Sequence, residues 1–164
     1  MTHKELVKIA EKWLLGTRRC SFVFTELACV ATSEIPDAIG FRDGHSIMVE
    51  CKTSRSDFLA DSKKIFRRNP DMGVGSYRFF MAPKGIITVK DLPPSWGLVE
   101  VNEEGKPRQT YGHKSNVPKQ NEFLFVRNLQ AEFGMMTSAL RRLHLRGVMP
   151  MIYLGPIGAE YKKR

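Results

Sequence analysis

The sequence predicts an α/β fold: a helix, three strands, a helix and a strand around a central mixed sheet, with a helical extension at the carboxyl end. Three observations carry this. Apolar residues recur at helical spacing from Leu6 to Leu14, short β-rich runs follow with a tight-turn dipeptide between the last two, and a capped helical pattern then precedes an apolar run beginning at Tyr77.

Thr2 and Glu5 form a capping box, after which Leu6, Ile9, Ala10, Trp13 and Leu14 share one helical face until Gly16 stops the helix. Cys20 to Ala31 is rich in Val, Phe and Thr and reads as a bent or bulged strand. Pro36 to Arg42 and Ser46 to Lys52 are two further strands, joined at Asp43-Gly44, a strong hairpin signal. Ser54 caps a second helix with Asp57 three positions on, and Phe58, Leu59, Ser62, Ile65 and Phe66 supply its inward face up to Asn69-Pro70. Tyr77 to Ala82 reads as a buried strand and Gly97 to Val101 as another. A polar loop over 102–120 follows. From Glu122 to Arg146, Phe123, Val126, Leu129, Phe133, Met136, Leu140 and Leu143 return at helical steps as one helix, or as two broken at Gly134.

With 164 residues the chain is long enough for one sizeable core. The expectation is a single domain with its core over about 2–101, the loop over 102–120 and the helical extension over 121–164. No apolar run approaches the ~20 residues needed to cross a bilayer. The amino terminus lacks the apolar centre of a secretory signal, so a cytoplasmic location is expected. Cys20, Cys29 and Cys51 are odd in number and lack paired short spacings, which argues against a disulfide framework or structural zinc. A formal net charge of +9 favours a polyanionic partner, nucleic acid first, through neutralised phosphates and released counterions.

The hairpin also places chemistry. A two-residue turn at Asp43-Gly44 pairs residues symmetric about it, and so sets Asp37 opposite Glu50 on one sheet face. Like charges so placed are destabilising unless a cation offsets them. Carboxylates and water are the ligands Mg²⁺ prefers, and the Cys51 backbone carbonyl is within reach of the same ion. Lys52, two residues beyond Glu50, projects to the same face, where it can hold a phosphate, orient water or act as a base. The plain alternative is a cross-strand salt bridge between Lys52 and one carboxylate.

Pro36-Asp37 followed by Glu50-Cys51-Lys52 resembles the PD-(D/E)xK nuclease signature, and the element order resembles that superfamily's restriction-endonuclease-like αβββαβ core. The longer run from Glu50 through Lys64 is similar to the E-x-K-x-S-R-x-D-F-x-x-D-x-K string of MmcB-related repair proteins and their phage-type relatives. The resemblance implies metal-dependent hydrolysis of DNA phosphodiesters in repair, recombination or phage DNA processing. It also implies Mg²⁺ (or Mn²⁺) on Asp37 and Glu50, and Lys52 as the catalytic lysine. A further acidic residue is expected: Glu26, which lies beside Asp37 if the connecting turn centres near Ala31-Thr32, or else Glu34. A nuclease-fold DNA-binding module without hydrolysis is the other reading, and either suits a homodimer or a larger repair assembly.

Asp57 and Asp61 match the longer string but also have local roles as a cap and a charge partner. Lys63, Lys64, Arg67 and Arg68 form rows along one side of the second helix, with Arg55 at its entrance. This is a path for a phosphate backbone or a solvated helix face. His3 in the cap region, His45 at the hairpin and His113 in the polar loop lack the ordered partners of a triad or a histidine metal site. Gly73-Val74-Gly75 lacks the Lys-Ser/Thr of a phosphate loop and reads as a turn.

Overall fold

The computed structural model describes residues 1–30, 32 and 34–154. Its centre is an open mixed sheet of six strands arranged in chain order: β1 (Phe22–Thr25), β2 (Ala38–Arg42), β3 (His45–Cys51), β4 (Tyr77–Pro83), β5 (Gly97–Val101) and β6 (Pro107–Tyr111). β1 to β3 form an antiparallel meander, β3, β4 and β5 run parallel, and β6 returns antiparallel. The helices are α1 (His3–Gly16), α2 (Arg55–Asp61), α3 (Ile65–Arg68) and α4 (Leu129–Leu145). No helix among the described residues is long and apolar enough to cross a membrane.

The capping box forms as the sequence predicts. Thr2 accepts from the Glu5 amide and Glu5 accepts from the Thr2 amide. Leu6, Ala10, Trp13 and Leu14 of α1 then bury themselves against Ile47, Val49 and Cys51 of β3 and Phe79 and Met81 of β4. The alternate residues of the same strands, Met48 and Phe80 with Ile39 of β2, face a second core closed by Phe58 of α2, Trp96, and Ala131 and Met135 of α4. Gly40 permits the tight approach of the α1 side, since a Cβ there would stand 2.9 Å from Cys20 Cβ and 3.4 Å from Leu14 Cβ.

Several expectations are corrected. The first strand covers only Phe22–Thr25 of the expected Cys20–Ala31, because Glu26 adopts a left-handed φ of 46° and ends the extended backbone; Ala31 lies outside the described residues. The second helix is two short ones, interrupted at Ser62–Lys64, so Leu59 and Ile65 are exposed rather than inward. Strand β6 runs through the expected polar loop. Its Pro107–Tyr111 segment alternates only weakly in polarity and finds its partner in β5 through main-chain bonds that side chains do not announce.

The carboxyl-terminal extension differs most. Phe123 and Val126 precede the helix, Gly134 lies inside it, and α4 is continuous over Leu129–Leu145. It docks on Ala131, Glu132 and Met135, leaving Leu129, Phe133 and Leu140 of the expected stripe exposed. The reason is polar: the buried Glu132 Oε1 accepts from Ser46 Oγ at 2.6 Å and from the Gly75 amide at 2.8 Å. Two charge-assisted bonds to otherwise orphaned donors outweigh the apolar pattern in orienting the helix. The part of the extension beyond Leu154 lies outside the described residues.

Candidate active site

The hairpin fixes the site. Asp43 and Gly44 both take positive φ, 46° and 77°, as a two-residue turn whose twist matches the flanking strands requires. Arg42 pairs with His45, and the register runs back through Ile39↔Met48 to Ala38↔Val49. Asp37 and Glu50 each lie one residue beyond that last pair, where the strands leave the core. The Cys51 amide donates to Asp37 Oδ2 at 2.7 Å, which pins that carboxyl to the end of β3. Burial, and then the negative charge of Glu50, push the Asp37 pKa up from 3.8 to about 6.

Glu50 and Lys52 share the face carrying Met48, and both are buried, at 1% and 4% exposure. Lys52 Nζ stands 3.4 Å from Glu50 Oε2 but closer, 2.9 Å, to Asp61 Oδ1. Asp57 is more distant, at 4.0 Å, and its amide is capped by Ser54. Asp61 thus joins the site as the last residue of α2, its carboxylate turned inward. Burial opposes ionisation of Asp61, but the charges and hydrogen bonds of Arg67, Lys52 and Lys64 outweigh it and hold the pKa down to about 2.

The cationic rows are corrected here. Lys64 does not face solvent alone; its Nζ lies 3.1 Å from Glu50 Oε2 and 2.9 Å from Asp61 Oδ1. The Arg67 side chain is only 3% exposed and reaches Asp61, Glu34 and Glu50 at 2.5, 2.9 and 3.4 Å, over the ring of Trp96. Arg55 forms a two-pronged pair with Asp91 at 2.5 and 2.6 Å. Lys63 and Arg68 remain exposed. The break between α2 and α3 is what redirects Lys64 and Arg67, since an unbroken helix would have kept Lys63, Lys64 and Arg67 along one side.

Of the two acidic candidates, Glu26 is the one beside Asp37: its amide donates to the Asp37 carbonyl at 3.2 Å. Glu34 is buried and occupied by Arg67 and by the Val74 amide at 3.1 Å. His3, set aside in the sequence reading, stands with this pair. Its Nε2 is 3.4 Å from Asp37 Oδ1 and 3.5 Å from Glu26 Oε1. No local pattern could have found it, because His3 meets Asp37 only through the packing of α1 on the sheet. Of the other histidines, His113 stacks on Tyr77 at 4.3 Å and bonds to Val117 and Asn121, and His45 is a buried strand residue. Cys51 packs in the α1-side core, where burial raises its thiol pKa above the ordinary range and makes it a poor nucleophile.

Comparison with protein-family models finds no match, and neither does comparison with curated proteins. The chain is similar in structure to the SPO1766 protein of unknown function from Silicibacter pomeroyi, with a TM-score of 0.59 and 18% sequence identity over 99% of this chain and 98% of that one. At that identity the likeness is one of fold.

Proposed function

We propose that this chain is a metal-dependent DNA nuclease with a PD-(D/E)xK centre on a restriction-endonuclease-like core. One observation carries the reading: the Asp37 carboxylate is pinned to the end of β3 by the Cys51 amide, near enough for the charge of Glu50 to raise its pKa, and the Lys52 ammonium is buried beside Glu50. Two buried carboxylates so close oppose folding unless a cation offsets them.

Asp37, Glu50 and the Cys51 carbonyl are the groups that would hold Mg²⁺. The donor set suits a hard cation: carboxylate oxygens predominate, and Glu50 Oε1 is buried with no hydrogen bond, its neighbour being the Arg67 guanidinium at 3.4 Å. A bound divalent ion supplies Lewis acidity to a phosphate oxygen and lowers the pKa of a ligated water. Lys52, oriented by Asp61 and Glu50, presents a fixed ammonium that can hold a non-bridging phosphate oxygen or the attacking water. Attack forms a new P–O bond and breaks the bond to one sugar oxygen, which leaves with a proton. Glu26, at the mouth, offers a carboxylate to the incoming water. Lys63, Arg68 and the positive net charge supply the approach for the polyanion.

Purified chain incubated with duplex, single-stranded, flapped and branched DNA in Mg²⁺, in Mn²⁺ and in chelator tests the proposal. Metal-dependent cleavage abolished by Asp37→Ala and by Lys52→Ala is the expected result, and no cleavage of any of these substrates removes it. A second reading draws on the ion network itself: Glu50 already meets Lys52, Lys64 and Arg67 without a metal, as a non-hydrolysing DNA-binding module would permit. That module binds DNA in a salt-sensitive manner and cuts none.

A further inference from the structure

Charges around the site divide unevenly. The network around Lys52 sets three cations, Lys52, Lys64 and Arg67, against four carboxylates, Glu34, Glu50, Asp57 and Asp61. Asp37 and Glu26 fall outside that network. Among the described residues the ion-pair partner of each is His3, and one imidazole carries at most one positive charge.

We propose that His3, Glu26 and Asp37 bind a divalent transition-metal ion, so that the amino-terminal turn of α1 contributes a nitrogen ligand to this end of the sheet. One ligand atom from each residue lies within 4.8 Å of the others. Two ligands each ~2.1 Å from an ion and about 90–110° apart stand ~3.0–3.4 Å from each other. The His3 distances of 3.4 and 3.5 Å already approach that spacing.

The three groups are held from separate elements. His3 opens α1 directly after the Thr2 N-cap, inside the Thr2–Glu5 capping box. Glu26 follows β1 with its amide bonded to the Asp37 carbonyl, and the Cys51 amide occupies Asp37 Oδ2 while Oδ1 faces His3. An imidazole in the set selects against Mg²⁺ and Ca²⁺, which favour oxygen alone, and toward the first-row transition series. Three protein ligands leave coordination positions open for water or a phosphate oxygen.

The site shares Asp37 and Glu26 with the proposed nuclease centre, yet its binding can be read without DNA. Titration of the full chain with Mn²⁺ and separately with Mg²⁺, followed by calorimetry and by the electron paramagnetic resonance of free Mn²⁺, is the direct test. Wild type is expected to take up Mn²⁺ about tenfold or more tighter than Mg²⁺. His3→Ala should lose about tenfold in Mn²⁺ affinity while Mg²⁺ affinity stays within about twofold. Absence of Mn²⁺ uptake, or uptake unchanged by His3→Ala, overturns the site. Should that variant fail to fold, Glu26→Gln replaces it, on a side chain 55% exposed, and undiminished Mn²⁺ affinity there overturns the proposal equally. DNA cleavage measured alongside separates the two ideas. Cleavage with Mn²⁺ binding indifferent to His3 removes this site and leaves the nuclease. Binding lost with His3 in a chain that cuts no DNA keeps the site and removes the nuclease.

Discussion

Asp37→Asn should stabilise the metal-free protein at neutral pH, although it strikes the centre of the candidate site. Folding raises the Asp37 pKa from 3.8 to about 6, through burial and then Glu50. Between those values the folded state binds more protons than the unfolded chain, so stability falls as pH rises through about 4 to 6 and the loss is complete above 6. At ~1.4 kcal/mol per pK unit the shift corresponds to about 3 kcal/mol. The Asp37 side chain is 17% exposed, so solvent screens part of this and about 1–3 kcal/mol is expected. Asparagine keeps an oxygen to accept from the Cys51 amide and removes the charge. At this chain length the gain raises Tm by roughly 3–10 °C. The assay is thermal unfolding by circular dichroism in chelator at pH 7.5 and at pH 4, where the aspartate of the folded wild type is itself protonated and the variant's advantage should largely vanish. A variant less stable than wild type at pH 7.5, or equally shifted at both pH values, would refute the assignment of strain to the buried Asp37 charge.

Arg67→Met should destabilise by about 3–5 kcal/mol in urea unfolding, because it leaves Glu34 and Asp61 buried with fewer partners. Arg67→Lys should recover only part of this, since an ammonium cannot span three carboxylates. Gly40→Ala should cost about 1–3 kcal/mol, its new methyl meeting Cys20 and Leu14, and far less if Cys20 is also replaced by Gly. Lys63→Glu with Arg68→Glu should weaken DNA binding measured by fluorescence anisotropy and flatten its dependence on salt, leaving Tm within about 1 °C. Affinity unchanged at low salt would show that DNA does not approach over this face.

The local rules were strong where one short segment decides the outcome. The Thr2–Glu5 box, the Asp43-Gly44 turn and the β2–β3 register it sets, from Arg42↔His45 to Ala38↔Val49, follow from short local signals, and each is present in the folded chain. A two-residue turn leaves the register no freedom, so the nearness of Asp37 to Glu50 and the side on which Lys52 emerges were legible without coordinates. The α/β class followed from the same signals.

Tertiary structure decided the rest, because it rests on partners distant in sequence. Arg67 and Lys64 look like surface cations until the break after Asp61 turns them toward Glu50 and Glu34. Glu132 looks like a solvent-facing residue until Ser46 and Gly75 offer it donors, and it then rotates α4 so that Phe133 faces outward. His3 looks like a capping neighbour until α1 packs across β2 and sets its ring against Asp37. Helical periodicity ranks residues by polarity alone, whereas a buried charge is placed by whichever opposite charge or donor the fold brings within reach.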